Sequence, residues 1–146
     1  MSDTPPEARA EQALLLLDLG EDCYALPAGQ VEIVLRNDLP RTEIPTAPAH
    51  VPAVVNHRGR ALPILDVEAF LDLPREGERG RLVVLRAADM SVALPARRIR
   101  GIRSLATRPA EPGLRFALGL VDLEEGAAQV LDIPALLRAA AARGRR

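Results

Sequence analysis

The sequence has no lysine and no tryptophan, a single cysteine, and only three aromatic residues, Tyr24, Phe70 and Phe116, in 146. Each shortage closes off a kind of chemistry. Without lysine there is no amine for a Schiff base and no phosphate-loop cation. One thiol, Cys23, excludes an internal disulfide, and a chain of this length buries about two thirds of its unfolded surface, enough to fold without a bridge or a metal. Three rings are too few to form a platform on which bases or sugars stack. The 19 cations, all arginine, stand against 20 acids for a formal net charge of −1, so no bulk basic field draws the chain to nucleic acid or anionic lipid. Long apolar runs are missing too: the densest early one, Ala13 to Leu17, stops at Asp18, far short of the roughly 20 residues that cross a bilayer. Residues 1–12 hold Asp3, Glu7 and Glu11 against Arg9, the opposite of a basic, apolar signal peptide. The expectation is a cytoplasmic protein with no membrane insertion and a flexible acidic tail over residues 1–12.

What remains is 48% hydrophobic and 27% charged, the balance of one folded domain. Leu14–Leu19 and Cys23–Leu26, separated by Gly20-Glu21-Asp22, read as a hairpin. Val31–Arg36 follows as a half-buried strand with Val31, Ile33 and Leu35 on one face. Four prolines between Asn37 and Pro52 forbid a helix there and confine strand to edges. Ala53–Asn56 and Ala61–Leu65 form strands around His57-Arg58-Gly59-Arg60, and Asp66 is placed to cap a short helix over Val67–Leu71. Leu82–Leu85 and Val92–Leu94 make another hairpin around Ala87-Ala88-Asp89, and Arg98–Leu105, Phe116–Val121 and Gln129–Leu131 add strands. Asp132 caps a last helix over Pro134–Arg143. Many short strands with brief helices predict small β-barrels or a sandwich.

The stretch Ala53–Val67 reads AVVNHRGRALPILDV. With Ile44-Pro45 and Pro48 before it, it resembles the signature of the CheW-like chemotaxis coupling proteins, because Asn56, Arg58, Gly59, Pro63 and Asp66 all fall in register with apolar residues between them. The resemblance extends over residues 13–137, leaving 138–146 as the end of the last helix and a basic tail. It implies a mostly β fold of two intertwined SH3-like barrels of about five strands each, with a hydrophobic groove between them. It also implies a non-enzymatic adaptor that bridges the cytoplasmic helical tip of a chemoreceptor to the regulatory domain of a CheA-type histidine kinase. Val31, Ile33, Asn56, Arg58 and Gly59 are the partner-binding candidates it suggests, while Pro63 and Asp66 are structural.

Three departures from the family pattern stand out. Ile33 replaces the usual acid, with the charge moved to Glu32; Pro95 is expected to end its strand early; and Thr107–Leu118 is short. They lead to the expectation that receptor docking is kept while kinase docking is weakened or depends on a second CheW-like adaptor. Read from the residues alone, the head of Arg58 suits either backbone carbonyls within the barrel or a partner's carboxylate. Asn56 suits a turn bond, and Gly59 and Pro63 are backbone devices. His50 and His57 lack the companions a zinc site needs, Cys23 has the acidic neighbours Glu21 and Asp22, and no phosphate loop or serine elbow is present. No catalytic residue, metal or cofactor is expected. The rival reading is a nucleic-acid-binding SH3-like barrel that uses Arg97, Arg98, Arg100 and Arg103, against which stands a solvated strand edge guarded by charge.

Overall fold

All four leucines of the run Leu14–Leu17 are at most 3% exposed, which a strand achieves only if both of its faces meet apolar surface. A computed structural model of the chain describes residues 10–75 and 77–144 and shows what those faces meet. Of the sequence-predicted acidic tail over residues 1–12, the part up to residue 9 lies outside the described residues, as do Glu76 and the terminal Arg145-Arg146, and its last two residues, Glu11 and Gln12, start a strand instead. The elements are β1 (Glu11–Leu19), β2 (Asp22–Pro27), a 3-10 turn (Ala28–Gln30), β3 (Val31–Arg36), β4 (Arg41–Glu43), β5 (Ala53–His57), β6 (Arg60–Pro63), α1 (Val67–Phe70), β7 (Arg81–Ala87), β8 (Met90–Ala96), β9 (Arg98–Ala106), β10 (Ala117–Leu123), β11 (Gly126–Leu131) and α2 (Ile133–Gly144).

They form two barrels that share the chain. The first is one five-stranded sheet in the order β10-β11-β2-β1-β9, closed where Arg108, just past β9, exchanges two 2.8 Å backbone hydrogen bonds with Leu120 of β10. Closure requires Gly119, since a Cβ there would lie 2.5 Å from the Arg108 carbonyl oxygen and collide with the Thr107 methyl. The second joins the sheets β3-β7-β8 and β4-β5-β6 through a bridge between Ile64 and Ala93. Because β1 and β2 precede the second barrel and β9 to β11 follow it, the two are intertwined.

Alternation along the shared strands sorts the side chains into three cores. Leu14 and Leu16 fill the first barrel with Ala25, Val121 and Val130. Leu82, Val84 and Ala93 fill the second with Val55, Leu62 and Ile64. Between the barrels, Leu15, Leu17, Val83, Leu85, Val92 and Leu94 pack with Phe70 of α1 and Leu136 of α2. Both helices are capped as their sequences predict: Asp66 Oδ1 accepts from the Ala69 amide, and Asp132 Oδ1 from the Ala135 amide, each at 3.1 Å.

Two expectations need correction. Strand β8 runs through Pro95, which pairs with Leu82. The carbonyl of Ala93 takes the Leu65 amide on the side away from β7. Pro95, two residues on, turns its nitrogen to that same side, so no ladder bond with β7 is lost. On β3, a bulge between Val31 and Ile33 breaks the period of two. Val31 and Val34 therefore pack on the inter-barrel core, while Leu35 faces the second barrel and Ile33 is 39% exposed.

A buried carboxylate absent from the sequence reading ties the barrels together. Glu68, 1% exposed, accepts from the amide of Gly20 at 2.6 Å and from Arg97 Nε at 3.0 Å, with Arg79 Nε 3.8 Å away. Gly20 belongs to the β1–β2 turn and Arg97 to the link from β8 to β9, so one side chain of the second barrel grips both. Beside it, Asp66 pairs with Arg75 at 2.6 Å and Arg79 at 2.8 Å.

Candidate docking site at the turn end of the second barrel

The β5–β6 hairpin turns on two residues, Arg58 and Gly59, with φ of 51° and 79°. A pair of positive φ values matches the right-handed twist of the flanking strands, and the non-glycine Arg58 adopts one at some conformational cost. Asn56 offsets part of that cost, its Oδ1 accepting from the Gly59 amide at 3.1 Å. The β7–β8 hairpin repeats the device with Ala88 at 52° and Asp89 at 60°.

A polar network draws these turns and the start of β3 together. Arg60, just past the first turn, donates to Glu32 at 3.1 Å and to Ser91 at 3.0 Å, and Ser91, just past the second, donates to Glu32 at 3.0 Å. The bulge in β3 sets Glu32 between register partners. Hydrogen bonds from Arg60 and then Ser91 hold the Glu32 carboxyl below its ordinary value of 4.5, so it stays charged and keeps Arg60 and Ser91 in place. Around this fixed frame stand the exposed Asn56, Arg58 and Gly59 and two exposed apolar side chains, Ile33 at 39% and Met90 at 42%. From Met90 a cleft of about 320 Å³, apolar on nearly all sides, runs between the second barrel and α2 past Pro63, Val92 and Leu137.

Of the sequence-predicted partner-binding residues, Ile33, Asn56, Arg58 and Gly59 thus meet at one end of one barrel. Val31 does not join them, since it packs inward on the core between the barrels. Arg58 makes no side-chain hydrogen bond or ion pair among the described residues and is exposed. Three exposed hydrophobic residues escaped the sequence reading: Met90, hidden beside a turn, Ile102, 62% exposed on β9 opposite the buried Leu15, and Leu118, 52% exposed on β10.

The arginine-rich stretch behaves differently. Arg97 turns inward to Glu68, and Arg98 and Arg100 pair with Asp18 at 3.1 and 2.7 Å, Arg100 also reaching Glu125 at 2.7 Å. Three of the four cations are neutralised locally, which leaves no basic stripe for phosphates; the nucleic-acid reading finds no support. Cys23 packs toward the interior of the first barrel, and burial pushes its thiol pKa up, keeping it protonated and unreactive. His50 is buried with Nε2 3.1 Å from the Ala140 carbonyl. No cluster of three or more potential metal ligands occurs among the described residues, nor does any helix there have the length and apolarity to cross a membrane.

Comparison with known proteins follows the same lines. A family model described as CheW-like domain matches residues 13–141. Protein FrzA of Myxococcus xanthus is 33% identical over 101 residues, which cover 68% of this chain and 62% of FrzA; the match therefore spans less than two thirds of that relative. The crystal structure of the scaffolding protein TtCheW from Thermoanaerobacter tengcongensis shares the fold with a TM-score of 0.74 at 17% identity, over 84% of this chain and 88% of that one.

Proposed function

The chain belongs to the CheW-like domain family, and from that membership we propose that it is a non-enzymatic adaptor, coupling the cytoplasmic helical tip of a chemoreceptor to the regulatory domain of a CheA-type histidine kinase. The observation that carries this reading is the turn end of the second barrel, where Ile33, Asn56, Arg58 and Gly59 surround a charge network that holds the surface rigid. A preorganised patch with an exposed arginine beside exposed apolar groups is the composition of a protein-docking hot spot. The apolar cleft beginning at Met90 suits one face of an amphipathic helix, which a receptor's helical hairpin supplies.

Receptor docking is proposed as the stronger of the two contacts. The short 107–118 segment still favours reduced kinase docking, whereas Pro95, accommodated within β8, no longer does, and Ile33 in place of an acid bears on the receptor side, where repacking absorbs a single side-chain change. Calorimetric titration of the purified protein, separately against a receptor signalling fragment and a kinase regulatory domain, tests the reading. Saturable receptor binding is the expected result, with weaker kinase binding that a second CheW-like adaptor strengthens. Binding to neither would overturn the adaptor proposal, and tight kinase binding without receptor binding would reverse the ranking.

A further inference from the structure

All three aromatic residues of the chain meet at one cleft, whose lining shares no residue with the turn network or with the cleft that begins at Met90. The cleft measures about 630 Å³ and is lined by Tyr24, Phe70, Phe116, Arg115, Gln129 and Arg143. The rings of Phe70 and Phe116 are tilted against each other with centroids 5.6 Å apart. A guanidinium covers each: that of Arg143 lies 4.0 Å above Phe70, and that of Arg115 lies 4.9 Å above Phe116. Tyr24 and Gln129 are register partners on the parallel strands β2 and β11, so their side chains stand side by side.

Two features exceed what packing requires. Phe116 holds a φ of 62°, a conformation a bulky side chain adopts only under constraint; its carbonyl accepts the Asp132 amide at 2.7 Å, which fixes the ring at the cleft wall. Strain of this sort gathers where a ligand is clamped. Secondly, a guanidinium held against a ring through its central carbon keeps N–H donors for an acceptor. Arg143 spends one such donor on the Phe70 carbonyl at 3.3 Å, and neither arginine has an acid partner among the described residues. Asp72 also lines the cleft, so two arginines against one acid leave it formally positive. Two cations are too few for a nucleic-acid track, and the volume lies in the range of small-molecule sites, about 300–1,000 Å³.

We propose that this cleft binds a small organic oxyanion, a phosphate ester or carboxylate that carries a flat ring. The oxyanion is taken by the free donors of Arg115 and Arg143, and the ring by the apolar lining of Leu71, Leu73 and Leu114, with Tyr24 and Gln129 offering neutral polar contacts. The site is separate from the turn end of the second barrel and stands whether or not the adaptor reading holds.

Amide NMR titration of the full chain with adenosine monophosphate, benzoate, adenosine and inorganic phosphate tests it. The expected result is saturable shifts at Tyr24, Phe116 and Gln129 with the monophosphate or with benzoate, whichever binds naming the source of the oxyanion, and at least tenfold weaker binding of adenosine and free phosphate. Arg115→Gln should weaken the bound probe by about tenfold, the loss of one charged hydrogen-bonding partner, and Asp72→Asn should tighten it. Arg115 is exposed, so its replacement leaves the fold intact; Gln129→Leu serves as a second variant, expected to weaken binding less. Absence of saturable shifts with both probes up to about 10 mM, or binding indifferent to Arg115→Gln, would reduce the cleft to packing and overturn the proposal.

Discussion

The two barrels use their surface charges in opposite ways. On the first, Asp18, Arg98, Arg100 and Glu125 form a chain of ion pairs, and Arg108 grips Asp122 with its Nε and terminal nitrogen at 3.0–3.2 Å. These exposed pairs contribute little stability, but they consume the cations of Arg98, Arg100 and Arg108. At the turn end of the second, one pair, Arg60–Glu32, steadies a patch whose other members, Arg58, Ile33 and Met90, are unspent. The contrast teaches that density of charge in a sequence is a poor guide to an interface: on the arginine-rich β9, Arg98 and Arg100 are satisfied at home, while Arg58, alone in its turn, is exposed.

The comparison breaks most readily at the carboxylate holding the barrels together. Glu68→Ala leaves Arg97 and the Gly20 amide without a buried acceptor, and removing one partner of such a group costs about 3 kcal/mol. Thermal unfolding should fall by roughly 10 °C; a shift under about 2 °C would show that the packed core alone sets the barrels' arrangement. Next in size is Gly119→Ala, which opposes closure of the first barrel only. Overpacking of this kind costs about 2 kcal/mol, and hydrogen exchange should quicken at Leu120 and Arg108 while β5 and β6 of the second barrel stay protected.

Arg58→Ala sharpens the contrast from the other side. It should weaken receptor binding by about tenfold, or 1.4 kcal/mol, with stability changed by no more than about 0.5 kcal/mol. The smallest effect is at Glu32. Its carboxyl pKa is lowered by its bonds to Arg60 and Ser91, so its contribution is complete above the ordinary value of 4.5 and is lost as pH falls through the lower folded value. Wild type should exceed Glu32→Gln by about 0.3 kcal/mol at neutral pH, and urea titrations should show the gap closing in acid. A gap that widens in acid would mean the sign is wrong.

Local signals told most of this fold. Three of the four hairpins, β1–β2, β5–β6 and β7–β8, follow from apolar runs divided by polar or glycine turns, and both helix caps from an aspartate three residues ahead of the amide it receives. The apolar run Leu14–Leu17 marked a strand, but not its burial on both faces or the entry of alternate residues into different cores, because that depends on which strands return after the second barrel is inserted. Other features depend on long-range geometry. Glu68 looks like an ordinary helix acid until Gly20 and Arg97, 48 and 29 residues away, arrive beside it. The bulge at Glu32 exists only in pairing with β7, so periodicity alone assigned Val31 to the wrong face. Pro95 is tolerated because of the direction its nitrogen faces, which composition does not reveal. At the candidate site, the motif located Asn56, Arg58 and Gly59, and Met90 joined them only through folding.

The most direct test of the account is one titration of a receptor signalling fragment against three forms of the protein: wild type, Arg58→Ala in the second barrel, and Arg108→Ala in the first. Arg108 is paired with Asp122 and sits outside the proposed surface, so the account predicts about tenfold weaker binding for Arg58→Ala and wild-type affinity for Arg108→Ala. Equal losses in both variants, or a loss confined to Arg108→Ala, would contradict it.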